Sequence, residues 1–516
     1  MMLGSQFAVL KKSFLIELFG NKRGGYFWQA RFLPRWLPLL LGVVMGISSA
    51  VLIVNDSTHL AIVLCLIIPV GILFIRYPFV SVLIWLLLMP FFAKEGSAAG
   101  RVVFWMIHRS LIPGTIILVF LLHWIGVKRK KRLVDLNIPD LALFALMGLI
   151  LVSIELFSRD PRAYYKFYDR WLVPICMYWL IKVTVPGRKD LKRLLWVAFF
   201  TVIFQCVISL LSVFAPGLVP LDWHSNYQGG IRTEGTLGNV AVYTSTIIFL
   251  STLLLQYGLN SQSRWTRTAV LLTFALVGFC VFFSFSRGSW LGGLLVLTGL
   301  LIIYPKEIGR VAIILVVLVV ILSGSILSSY VAWGHERLFG QHSQQTADDR
   351  MIANYASWRM IEAKPWLGWG FESRGYYSLD FTRTRVGNVA ASYKVSSHNT
   401  YLTSAVELGL VGLFLSLFPA AWWLILTFKK WRQLPKSGFW SRRLLVVFWL
   451  AMLHFFVVTN FMEMSIHPFG LTLWWLELGL IANFLSPYLK SDSLATRATW
   501  ASTHRAPRFD LDGLQS

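Results

Sequence analysis

Four short segments of this chain hold side chains that could do chemistry, and each stands beside a long apolar run. In SFSRGSWL at 284–291, Arg287 occupies a turn between two such runs, with Gly288 permitting the tight reversal. A guanidinium there meets an anion, or it snorkels and only marks the membrane edge. In SSHNTYLTSAVELGLVG at 396–412, His398 and Asn399 stand at the mouth of a run that continues from Leu402 to Leu426. A neutral imidazole in that place can take a proton from an attacking hydroxyl; the plainer role is helix capping or an interfacial histidine. Glu407 lies inside the apolar run and needs a partner or a proton.

The third segment, SRDPRAYYKFYDR at 158–170, repeats Arg162, Lys166 and Arg170 every fourth residue, with Pro161 after Asp160 to start a helix. Guanidinium forks on one helix face suit a phosphate or pyrophosphate; equally, the stripe is a solvated face against lipid headgroups. The fourth, GGIRTEGTLGNVA at 229–241, sets Arg232, Glu234 and Asn239 among glycines that let a backbone approach a ligand or simply form a loop. Arg350 and Arg359 add two cations in RMIANYASWRMIEA, a helix expected over 350–363, capped by Asp348 and Asp349 and stopped before Pro365.

The elements that must hold these residues are membrane helices. Of the 516 residues, 56% are hydrophobic and 14% charged, and runs of membrane-crossing length recur throughout. Hydropathy predicts about fourteen spans, near 35–54, 59–75, 77–93, 107–126, 139–157, 170–186, 193–215, 238–257, 267–284, 288–304, 309–330, 399–427, 444–462 and 468–487. Helices are required, because each run must satisfy its own backbone in lipid. The four cysteines lie inside apolar runs and point to neither a disulfide frame nor a metal site. The formal charge of +24 would fit nucleic acid only with a folded polar domain to carry it, and no stretch is polar for long enough.

Lysine and arginine collect in the N-terminal segment, in VKRKKR at 127–132, around 188–193 and in 428–443. These fall on one side if the spans alternate, which makes that side the cytoplasm and places both termini there. The expected organisation is an interfacial N-terminal segment over 1–34, transmembrane helices over 35–330, a large outer loop over 331–397, further helices over 398–487, and a cytoplasmic, disordered tail over 488–516. The connections on the opposite side are short except for 158–169, 216–237 and 331–397, and function is expected there. Cations are not normally enriched on that side, so an anion is expected to bind there.

With these residues in hand, the chain resembles the O-antigen ligase and polymerase superfamily of bacterial membrane glycosyltransferases. His398-Asn399, followed after nine residues by Gly409 and then Gly412, is similar to the family pattern H-[N/S/Q]-x9-G-x-x-[G/T/Y]. Arg287-Gly-Ser-Trp-Leu291 resembles its R-x-x-x-L element, Arg350 with Pro365-Trp-Leu-Gly-Trp-Gly370 its R…PLLGxG stretch, and GTLGN at 235–239 its GTxGN turn. The resemblance covers roughly residues 140 to 485.

It implies an all-α polytopic membrane protein with a large outer loop, and a metal-independent, cofactor-free, inverting transfer in the bacterial cytoplasmic membrane. The donor would be an undecaprenyl-diphosphate glycan and the acceptor a glycan or lipid A core hydroxyl, with membrane lipids as surroundings and a polysaccharide chain-length regulator as a candidate partner. By position, Arg287 would contact the diphosphate, His398 would activate or orient the acceptor and Asn399 would support its loop. Arg162, Arg170, Arg232, Arg350 and Arg359 are further candidates for binding the donor. Length and span count favour a polymerase over a ligase. A reading from another class, a small-anion transporter or lipid flippase, requires ionisable groups near span centres, for which Glu407 and His454 are candidates.

Overall fold

A computed structural model describes residues 48, 70–93, 98–124, 136–223, 232–323, 332, 334–336, 340–382, 385–386, 389–390 and 397–490. The expected interfacial segment, the C-terminal tail and most of the first two expected spans lie outside these residues. The chain divides into two units, Met1–Arg76 with Leu118–Leu133, and Tyr77–Ile117 with Val134–Ser516. In the first, residues 70–76 and 118–124 are helical. The site belongs to the second.

Helices α1 (Val80–Phe92), α2 (Ala98–Met106), α3 (Ile112–Trp124), α4 (Ile138–Phe157), α5 (Ala163–Phe167), α6 (Val173–Thr184), α7 (Arg188–Phe214), α8 (Val240–Leu259), α9 (Arg264–Phe282), α10 (Arg287–Ile303) and α11 (Pro305–Ser323) come first. There follow α12 (Gln341–Ala363), α13 (Arg374–Thr382), a two-residue antiparallel ladder of β1 (Arg385–Val386) and β2 (Val389–Ala390), then α14 (Thr400–Lys430), α15 (Arg442–Thr459) and α16 (Pro468–Lys490). The protein is an all-α polytopic membrane protein: eight helices among the described residues are long and apolar enough to cross a bilayer. Each coincides with one expected span. The spans expected near 77–93 and 288–304 are shorter apolar helices of 13 and 17 residues, and 170–186 is a wide π turn over Tyr168–Leu172 followed by the 12-residue α6.

Helix α8 is the axis of the bundle. In its span 94% of residues are buried, against 28% in α9 beside it, so α8 meets only protein while α9 shows a face to lipid. The closest packing near the site is between α10 and α15. Gly288, Gly292 and Gly299 fall where a Cβ would meet Phe461, His454 and Leu450, and small residues are what let two helices approach in a medium that offers no hydrophobic drive between them. That approach brings the first turn of α10, with Arg287, against Phe461.

Helix α12 is longer than the sequence suggests. It runs from Gln341, with Gly340 at its N-cap, so Asp348 and Asp349 lie within it and cap nothing. No helix breaker separates residues 341–347 from the predicted stretch, and the chain continues the helix backwards. Its end at Ala363, before Pro365, is as predicted.

Candidate active site

The site gathers at one end of the bundle from connections far apart in sequence. Its first piece is the turn between α9 and α10. Phe285 takes the left-handed region, with φ 46°, at a cost that surrounding packing must meet; Phe279, Phe282, Phe283 and Trp290 crowd round it. Trp290 Nε1 donates to the carbonyls of Val281 and Phe282 at 3.1 and 2.8 Å, satisfying carbonyls that the end of α9 leaves over. Ser286 caps α10, and Arg287 is its first residue.

The glycine-rich turn docks onto this piece. Thr233 N donates to Phe283 O at 3.1 Å, Thr233 Oγ1 to Cys280 O at 2.7 Å, and Arg232 Nε to Ser284 O at 3.0 Å. Gly235 and Gly238 both have positive φ, 56° and 66°, which glycine alone adopts without strain. The turn delivers Asn239 to the head of α8, where its Oδ1 accepts from Ala241 N and Val242 N. The Asn239 amide also donates to His467 Nε2 at 2.9 Å. Burial takes His467 down to about 4, so the ring is neutral, and Nε2, facing the amide donor, is its acceptor nitrogen.

The third piece explains the spacing from His398 to Gly409. Helix α14 is broken at Gly409, whose φ of 69° and ψ of −176° are not helical. The segment Pro365–Gly370 fills the break: Trp369 N and Gly370 N donate to the carbonyls of Val406 and Glu407 at 2.9 and 3.0 Å, and Leu410 N donates to Pro365 O at 2.7 Å. A Cβ on Gly409 would strike the Trp366 carbonyl, and one on Gly368 would lie 2.6 Å from Glu407 C. Only glycine fits either place. The half-helix 400–408 is thereby held at a fixed angle, with Asn399 as its cap through bonds from Tyr401 N and Leu402 N to its Oδ1. His398 precedes the cap in the left-handed region, φ 47°.

The first two pieces, with α12 and the end of α15, form a cleft lined by Arg232, Ala241, Ser286, Arg287, Gly288, Arg350, Val458, Phe461 and Met462. One side is cationic, from three segments, and the first turn of α10 adds the positive end of a helix dipole. The other side, Ala241, Val458, Phe461 and Met462, is apolar. His398 lies within the influence of Arg350 and is half-buried; burial, then the cations Arg350 and Arg374, hold its imidazole below the usual histidine range, with Glu463 opposing them. The Thr400 hydroxyl donates to Met462 O at 3.0 Å and accepts from Met464 N at 2.8 Å, so the α15–α16 connection that carries Glu463 is pinned beside the His398 turn.

The remaining candidates sit elsewhere. Lys166 pairs with Glu372 and Asp160 at 2.7 and 2.6 Å, and Arg170 closes on the same Glu372. With Phe371 N donating to Ser153 Oγ at 2.9 Å and Ser158 Oγ to Phe371 O at 2.7 Å, they dock residues 158–170 against 371–373. Arg162 is exposed at the N-cap of α5. Arg359 lies on the open face of α12, 3.7 Å from Glu362. The connection Phe461–His467 and the buried Arg374, which donates to Ser357 Oγ at 3.3 Å, were not singled out from the sequence. Two ionisable residues four apart, Glu463 and His467, in a short connection between apolar runs were the available signal.

Comparison with known proteins meets this geometry over part of its length. Residues 272–417 match the family model described as O-antigen ligase. The match holds Arg287, Arg350, His398 and Gly409, while Arg232 and the Phe461–His467 connection lie outside it. No curated protein matches the chain. A multi-pass membrane protein thus contains, over residues 272–417, a stretch similar to the O-antigen ligase family model.

Proposed function

We propose that the protein is a membrane glycosyltransferase that moves a glycan from a polyprenyl-diphosphate donor, of the undecaprenyl kind, to an acceptor hydroxyl. The observation that carries this is the meeting of Arg232, Arg287 and Arg350 on one cleft with an apolar opposite wall. Such a site matches an amphiphile with a diphosphate head. As the glycosyl bond to the diphosphate breaks, negative charge grows on the departing oxygens, and guanidinium groups already in place stabilise it without reorganising. The isoprenoid lies against Ala241, Val458, Phe461 and Met462. His398, neutral at pH 7, accepts the proton of the acceptor hydroxyl or orients it for attack on the anomeric carbon from the opposite face, which inverts that centre.

In this reading the cleft faces outward from the cytoplasmic membrane and both termini lie in the cytoplasm, as the lysine and arginine distribution directs. The length of the chain and its number of apolar runs favour polymerisation of a surface polysaccharide over ligation to a lipid A core. The transporter reading draws on Glu407 and His454, both buried within spans; neither is among the residues lining the cleft.

The test uses purified protein in lipid with an undecaprenyl-diphosphate oligosaccharide, following product length on gels. A ladder of longer lipid-linked glycans, lost in Arg287→Ala and His398→Ala with folding intact, supports a polymerase. Consumption of donor only when lipid A core is supplied identifies a ligase. Inertness towards every acceptor sinks the transferase reading.

A further inference from the structure

Helix α12 presents two faces. Ile352, Ala353, Ala356, Ser357, Met360 and Ile361 are buried. On the opposite face, at the spacing of one helix stripe, Met351 is 47%, Tyr355 40% and Trp358 57% exposed. Large aromatic groups standing free on a helix that is otherwise well packed call for an occupant.

The stripe is continuous with the cleft. Arg350, which lines it, lies next to Met351 in sequence, and Asn354, one turn on, sits between Arg350 and Trp358 on the helix surface. Asn354 is half-buried where the two regions join. Carboxylates of Asp348 and Glu362 flank the stripe, the latter beside Arg359.

This composition discriminates between occupants. A helix lying on an anionic bilayer surface carries lysine and arginine on its polar face. α12 carries three carboxylates, Asp348, Asp349 and Glu362, and of its two arginines one lines the cleft. Flat aromatic rings ringed by carboxylate, amide and guanidinium groups instead suit pyranose rings, whose C–H faces stack on an aromatic π-system while their hydroxyls hydrogen-bond around it.

We propose that Met351, Tyr355 and Trp358 of α12 form a sugar-binding subsite, on which the glycan lies as it leaves the arginine cleft. The inference rests on the transferase reading for the identity of the chain that extends from the cleft. It assigns the rings nearest the diphosphate to the Asn354 end and more distant ones to Trp358.

The test measures binding without transfer. Full-length protein in nanodiscs is titrated with lipid-free oligosaccharide released by mild acid from the producing cell's surface polysaccharide, with saturation-transfer NMR as readout. Expected is saturable binding that weakens about tenfold in Trp358→Ala, less in Tyr355→Ala, recovers in Trp358→Phe and is unchanged in Arg162→Ala. Wild-type affinity in Trp358→Ala, or no saturable binding by the wild type, overturns the subsite. Quenching of Trp358 emission by brominated lipids, taken as the difference between wild type and Trp358→Phe, would place this face in the bilayer and overturn it as well. Trp358-dependent binding in a protein inert towards lipid-linked donors keeps the subsite and removes the transferase reading; transfer without such binding does the reverse.

Discussion

Two groups of basic residues sit at the same end of the bundle and do opposite things. The stripe at 158–170 meets its anions within the protein: Lys166 and Arg170 close on Glu372, and Lys166 also on Asp160. Arg232, Arg287 and Arg350 come from three segments and converge on one cleft with an apolar far wall. The first group docks one loop to another; the second brings cations from three separate segments to the lining of one cleft. In sequence the stripe is the tidier of the two, with perfect helical spacing. Spacing within one element is therefore a poor guide to ligand binding when a carboxylate from elsewhere can fill the same face.

The strongest test of this contrast is Arg287→Ala, expected to lower transfer by about 10²–10³, the scale of one lost transition-state donor in a desolvated site; turnover of a lipid-linked donor measures it. Gly409→Ala comes next. It forces a side chain into the left-handed region and onto the Trp366 carbonyl, and should cost about 3 kcal/mol or more of stability, read from thermal unfolding in detergent.

A double-mutant cycle sharpens the role of the stripe. Arg170→Met and Glu372→Met should each destabilise the docked loop, and together recover much of the loss, with a coupling of about 1–3 kcal/mol. Substrate binding by Arg170 would instead leave the double variant as inactive as the single one.

The pH profile follows from His398. A base works when neutral, so kcat/KM should hold as pH falls to the usual histidine range and drop only below it. Glu463 opposes that downward shift, so Glu463→Gln should move the acid limb lower still. An acid limb in the normal histidine range for both proteins would break the placement of Glu463 beside His398. Smallest of all, Arg162→Ala should change transfer by less than about twofold, as for a surface position away from a site.

Much of the architecture was legible in advance. Eight expected spans coincide with eight helices of crossing length, because a bilayer imposes length and apolarity on each span separately. Local stops were legible as well, such as the end of α12 before Pro365. What escaped were contacts made across the fold. Asp348 and Asp349 looked like caps and are helix interior. Arg374, Glu463 and His467 drew no notice, because nothing near them in sequence reveals what they face.

The amino-acid sequence by itself determined that this chain lives in a bilayer, where its helices run, and which glycines and arginines form motifs. The tertiary structure decided what those motifs are for. The nine residues between Asn399 and Gly409 measure the half-helix from its cap to a break that Pro365–Gly370 fills, and the arginines acquire a shared target only when α9–α10, the 232–239 turn and α12 meet. The reason is physical: hydropathy and backbone preference act through neighbours along the chain, whereas charge convergence and backbone hydrogen bonding across a helix break depend on groups that only folding brings together.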